Sequence, residues 1–348
     1  MTQIPKDLIT SAKTDTKLES AKEQWKRFLL LLSVATLIPV VLVPLGQNIT
    51  PRAESIVLLL GIISFLGGTS HVGASAYFYT DREQLGFFSA KPLRYFVIPV
   101  VLPIATACAY QYGGVEIRAN VLLVYFIWQT YHYQKQNYGI YSFVCVGTNT
   151  SRPTFLENVC LELGVFAGIL GLIKIMNLGA NTLLESHELL VFNAGLYAIF
   201  LLPMCILVAV ATNSDLRRSR ARLSALLLGT FFYAPTFIFS EAQSAILSYA
   251  LAHGLQYHVF MAYISGSSVN QNPARSIILF VFCLALGGGA LTLMADQALW
   301  SNWSLGVFGA YLGLVMAHFV LDAGVWRLRE KFQGEYIKSR MRFVFSQK

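Results

Sequence analysis

Charge is scarce in this chain. Asp, Glu, Lys and Arg make up 13% of its 348 residues against 55% hydrophobic, and mean hydropathy is +0.55. That balance lies outside the range of soluble globular domains and places the protein in a membrane. Cysteine is also sparse. The five present, Cys108, Cys145, Cys160, Cys205 and Cys283, fall at irregular spacings in apolar segments, which excludes a disulfide framework or a thiolate metal site. No internal repeat and no separate soluble domain is visible, so the inverted-repeat pattern common among secondary transporters is missing. The first 27 residues are polar, of mixed charge, and lead into a full-length span, so no cleavable signal peptide is expected.

What the chain does have is long apolar runs. A crossing needs about 20 such residues, and roughly ten runs qualify: 28–46, 55–80, 95–111, 119–146, 158–178, 189–212, 221–240, 242–265, 275–296 and 303–326. Basic residues gather in alternate loops: the N-terminal segment with Lys6, Lys13 and Lys22, then Arg82, Lys91 and Arg94, then Arg152, the Arg217–Arg222 cluster and Arg275. The opposite loops hold little beyond Arg52 and Arg118. By the positive-inside tendency both termini are cytoplasmic, which requires an even number of spans. The net charge of +8 therefore reads as topology and contact with anionic lipid headgroups, with no nucleic-acid partner expected. The expected fold is all-α: a polytopic integral membrane bundle of about ten transmembrane helices at 28–326, with a cytoplasmic segment at 1–27 and a basic cytoplasmic tail at 327–348.

The stretch SYALAHGLQYHVFMAY, Ser248–Tyr263, puts His253 and His258 in the middle of one such run. An imidazole in hydrocarbon is unfavourable by several kcal/mol unless a partner or metal satisfies it, roughly as for other buried polar groups. His71, His132 and His318 sit in comparable places. All five fall on even-numbered spans, roughly 11 to 16 residues from the outer end, or about 16–24 Å deep at 1.5 Å per residue. They share one layer and are candidate ligands of one metal, for which neutral imidazole is a good donor. His187, in an outer loop, is expected to be solvated.

The neighbours resemble a supporting shell. Asp322 follows His318 by four residues, on the same helix face, and is a candidate catalytic residue that orients a ligand imidazole; Arg327 is its alternative partner. Lys135 and Gln136 follow His132 by three and four residues and are further catalytic candidates. Lys135 either snorkels to the membrane surface or meets an oxygenated or anionic group of a substrate. His253 and His258 are five apart, about 140° around a regular helix, so both face one ion only if the turn at Gly254 widens into a π-bulge. Otherwise His258 is an outer residue.

Four motifs taken in order, GGTSHVGASA around His71, TYHYQKQNYG around His132, YAP at Tyr233–Pro235 leading to AHGLQYHVF, and AHFVLDAGVWR around His318, resemble the bacterial and archaeal membrane β-carotene 15,15'-dioxygenases of the Brp/Blh type. The resemblance covers these helices and not the intervening spans. It implies a bundle holding non-haem Fe(II) on His71, His132, His253 and His318, with His258 as a fifth or outer ligand. By the same resemblance the substrate is a carotenoid cleaved with O2, in a bacterial inner membrane. The chain departs from the family pattern in lacking an acidic residue after His71, and in spacing its paired histidines five rather than four apart.

The expected function is thus an iron-dependent membrane oxygenase, a dioxygenase before a monooxygenase, with a lipophilic substrate, membrane lipids and, if needed, an electron donor as partners. A membrane fatty-acid hydroxylase or desaturase is the alternative enzyme, although the HxxxH and HxxHH boxes usual at its span ends are missing. A haem b electron carrier is the alternative of another class; five histidines exceed what one haem needs.

Overall fold

A computed structural model describes residues 6–49, 61–180, 182, 184–267, 272–296 and 303–346, and it is helical throughout, with no strand among them. We number the helices in chain order. The first, α1, runs unbroken over Lys6–Ile49, so the polar N-terminal segment continues directly into the first apolar run. Residues 61–79 form α2, a composite of a π-turn at Phe65–Thr69, an α-helix at Ser70–Ser75 and a 3-10 turn at Ala76–Tyr79; residues 55–60 of that expected span lie outside the described residues. Then come α3 (Arg82–Ser89), α4 (Leu93–Tyr112), α5 (Val115–Gly147), α6 (Phe155–Ile175) and α7 (Glu188–Thr212).

The expected span at 221–240 is broken. After the short α8 (Ser214–Arg218), helix α9 ends at Thr230 having begun at Arg220, and α10 covers only Pro235–Ile238. Pro235 has no N–H to continue the ladder. The intervening turn buries Tyr233, whose hydroxyl donates to the Thr130 carbonyl at 2.5 Å. Beyond it lie α11 (Ala242–Gly266), α12 (Pro273–Ala295), α13 (Ser304–Val325), α14 (Lys331–Arg340) and α15 (Arg342–Phe345).

Among the described residues, 6 helices are long and apolar enough to cross a membrane: Glu19–Val43 within α1, Leu93–Tyr112, Phe155–Ile175, Leu189–Thr212, Pro273–Ala295 and Ser304–Val325. Their outward faces carry Leu, Ile, Val and Phe, as lipid contact requires. Helices α5 and α11 are equally long but carry the polar side chains of the bundle interior.

Helices associate in hydrocarbon by close packing of small residues, and glycine sets two crossings that matter for the site. A Cβ on Gly254 of α11 would lie 2.4 Å from the Leu66 carbonyl oxygen, and one on Gly73 of α2 would lie 2.2 Å from the Gly288 nitrogen of α12. The composite α2 is thereby clamped between α11 and α12.

The basic C-terminal segment is not a free tail. Tyr336, Ile337, Met341, Phe343 and Val344 are buried against Trp25, Phe28 and Phe260, and Phe28 meets Phe343 at a ring separation of 5.6 Å. Arg340 bonds Asp81 at 3.2 Å, Tyr336 donates to the same carboxylate at 2.7 Å, and Gln84 and Gln333 exchange two hydrogen bonds. Trp25 and Phe28 of α1, the 80–93 segment that contains α3, and the C-terminal segment therefore gather at one end of the bundle. Burial pushes the Tyr336 hydroxyl well above the ordinary tyrosine range, keeping it the proton donor of this clasp.

Candidate metal centre

Each of the four helices α2, α5, α11 and α13 delivers one histidine to a common point in the bundle. His71 and His253 have ring centroids 4.7 Å apart, His253 and His132 5.2 Å, His132 and His318 5.1 Å, and His318 and His71 5.0 Å, which closes a circuit. All four side chains are buried, none more than 8% exposed. The π-turn at Phe65–Thr69 supports this convergence. There the Ser70 N–H reaches back to the Phe65 carbonyl, and the extra residue in the turn rotates the helix just ahead of His71.

Asp322 completes the layer. Its Oδ2 lies 3.5 Å from His318 Nε2 and 3.8 Å from His132 Nε2, and Tyr257 donates to its Oδ1 at 3.3 Å. Asp322 thus faces the imidazoles as expected, and its partners are His132, His318 and Tyr257 in place of the alternative, Arg327. Aromatic rings wall the centre. Tyr133 stacks on His253 at 3.8 Å, Phe319 stacks on His132 at 4.5 Å, and Tyr257 meets the rings of His71 and His318 edge to face.

Three sequence candidates stand elsewhere. Helix α11 is a regular α-helix through Gly254, with no widening there, so His258 points away from His253. Its Nε2 pairs with Ser70 Oγ at 2.9 Å, outside the four-ring circuit. The π-turn belongs to the facing helix instead, where Gly254 presses against Leu66 and Gly67. Lys135 is exposed, 3.6 Å from Glu162 and lying over the rings of Tyr131 and Tyr138, so it reaches no histidine. Three residues place it only about 60° around α5 from His132, and its long side chain leads outward to Glu162. Gln136 donates to the His253 carbonyl at 3.1 Å and to Gln256 Oε1 at 2.8 Å; it fixes α5 to α11 beside the centre and does not enter it. His187 is exposed and pairs with Ser186 at 2.8 Å.

No family model, curated protein or solved structure matches this chain.

The donors fit a metal ion. Both ring nitrogens of His71, His253 and His318, and Nε2 of His132, are buried without a hydrogen-bond partner. A buried polar group left unpaired is unfavourable by about 1–3 kcal/mol, so this concentration of orphaned nitrogens in one place calls for a ligand. Two sets of donor atoms lie within 4.8 Å of one another, His71 with His132 and His253, and His132 with His318 and Asp322. An ion bound by imidazole nitrogens at about 2.0–2.1 Å holds neighbouring ring centres about 4.5–5.2 Å apart, the spacing observed around the circuit. Imidazoles with one carboxylate suit Fe, Zn or Cu better than Mg or Ca. Four neutral donors would leave a divalent ion's full charge in hydrocarbon, and Asp322 offsets part of it.

Sequence spacing misses Tyr257 and Phe319. Tyr257 is four residues after His253 and Phe319 adjoins His318, so proximity along the helix is the one available signal. Arg222 is missed as well. It reads as one of a basic loop cluster, yet it is fully buried and paired with Glu157 at 2.8 Å.

Proposed function

We propose that the protein is an integral membrane non-haem iron oxygenase that acts with O2 on a lipophilic substrate. One observation carries this reading: four buried imidazoles from four helices close on each other with unpartnered nitrogens, beside a carboxylate. His71, His132, His253 and His318 would hold Fe(II), and bound there the ion supplies the capacity to activate dioxygen. Asp322 balances its charge, and Tyr257 holds Asp322 by a hydrogen bond to the oxygen that faces away from the rings. Tyr133, Phe319 and the surrounding hydrocarbon exclude water, which protects reactive oxygen species from quenching.

A dioxygenase is favoured because insertion of both oxygen atoms into one substrate needs no external electron donor. The motif resemblance makes that substrate a carotenoid cleaved at a double bond to an aldehyde such as retinal. The bundle would cross a bacterial inner membrane ten times, the seventh crossing being made in two pieces by α9 and α10, with both termini cytoplasmic. The haem b reading draws less support, since two axial rings suffice for a haem and here four converge.

Expression in β-carotene-producing bacteria tests the substrate. Loss of orange colour with retinal formed, and retention of colour with His253→Ala, is the expected result. Full colour and no retinal from a well-expressed, iron-loaded protein would contradict the carotenoid assignment.

A further inference from the structure

A second feature lies one helical turn from the histidines and is not used by them. Between α1 and α9, backed by α5 and α11, is a pocket of about 170 Å³. None of its lining residues is charged. Its walls are mostly aliphatic, with Leu29, Leu32, Ile140 and Leu228 among them beside Ser33 and Ser224, and the polar side chains Thr36, Asn137 and Gln256 form its floor. Gln256 follows His253 by three residues and Asn137 follows His132 by five, which puts the floor about 4–8 Å along the helices from the histidine layer.

The floor's hydrogen bonds are only partly used. Thr36 donates to the Leu32 carbonyl at 2.7 Å and accepts from Gln256 Nε2 at 2.8 Å, while Gln256 Oε1 is taken by Gln136. That leaves the second N–H of Gln256. Asn137, 4% exposed, gives its Nδ2 to Gln134 at 3.1 Å, and its side-chain oxygen is left as an acceptor. The second N–H of Asn137 is open as well, so the floor offers two amide N–H donors and one carbonyl acceptor in a neutral cleft, a set that a hydroxyl group, which both donates and accepts, can engage. A carboxylate or phosphate would bring a charge that nothing in the lining compensates. An alkane or ether would leave the Asn137 oxygen unpaired.

We propose that this pocket binds a membrane alcohol, a lipophile whose single uncharged hydroxyl sits on Asn137 and Gln256 and whose hydrocarbon lies between α1 and α9. Gln136 bonds both Gln256 and the His253 carbonyl, so the hydroxyl is held on the same scaffold as the imidazoles. The binding itself does not depend on the oxygenase reading or on a bound metal.

The test is photolabelling of the full chain in phosphatidylcholine nanodiscs with three diazirine probes of equal length, an 18-carbon alcohol, its methyl ether and the carboxylic acid. We expect the alcohol to label peptides covering 29–36, 137–144 and 221–229, with the ether and acid labelling them about tenfold less, as loss of one such hydrogen bond implies. Ala225→Phe, which fills the pocket, should abolish labelling by all three, and Asn137→Leu should remove the preference for the alcohol. Treatment with a chelator should leave the labelling unchanged, which separates this proposal from the metal reading. Equal labelling by the three probes, labelling mapped to other helices, or undiminished labelling of a folded Ala225→Phe protein would overturn it.

Discussion

Gly67 of α2 and Gly254 of α11 meet backbone to backbone: a Cβ added to Gly254 would lie 2.8 Å from Gly67 Cα. His253 is the residue before Gly254, and His71 lies four residues beyond Gly67, so the crossing sets the separation of these two rings. Gly254→Ala should force the helices apart, lowering stability by about 1–3 kcal/mol and reducing bound metal. Gly139→Ala, where a Cβ meets nothing within 4 Å, is the control and should change neither. Thermal unfolding in detergent and metal analysis of the same samples check both statements.

Asp322 lies 3.5 Å from His318 Nε2 and 3.8 Å from His132 Nε2, where its charge would offset part of a bound ion's. Asp322→Asn keeps the shape and removes the charge, and should weaken metal affinity by about 10–100-fold, the range seen when groups supporting ligands are replaced. Lys135→Ala should leave affinity as it is, since Lys135 sits on the outer face with Glu162. Competition with a chromophoric chelator measures both.

Arg222 and Glu157 form a fully buried pair, bidentate at 2.9 and 2.8 Å, with Tyr141 donating to the same carboxylate and the Ser151 carbonyl accepting from Arg222 at 2.8 Å. Breaking such a pair strands a charge. Arg222→Met should therefore destabilise the protein by about 3–5 kcal/mol, while metal per folded chain stays unchanged because the pair lies away from the histidines. Its unfolding temperature, set against metal content of the folded fraction, is the check.

The membrane class and the helical fold are legible in composition and run length alone, because hydrocarbon admits few backbone solutions. The common depth of His71, His132, His253 and His318 is legible by counting residues along spans. Their azimuth is not. Which way His258 and Lys135 point depends on whether α11 and α5 stay regular, and the irregular turn falls in FLGGT of α2, whose backbone cannot be read from residue type. The break between α9 and α10 has a visible cause in Pro235, yet the apolar run passes straight over it. The folding back of α14 and α15 rests on pairings across more than 240 positions, such as Gln84 with Gln333, which charge patterning reads only as a basic tail.

If His71, His132, His253 and His318 together hold one metal ion, removing any one of them should release it. Metal analysis of purified protein, with His71→Ala, His132→Ala, His253→Ala, His318→Ala, His258→Ala and His187→Ala prepared alongside, tests this most directly. One iron per chain is expected, lost from each of the first four variants and retained in the last two. Retention of iron in two or more of the first four, in protein that is still folded, would contradict this.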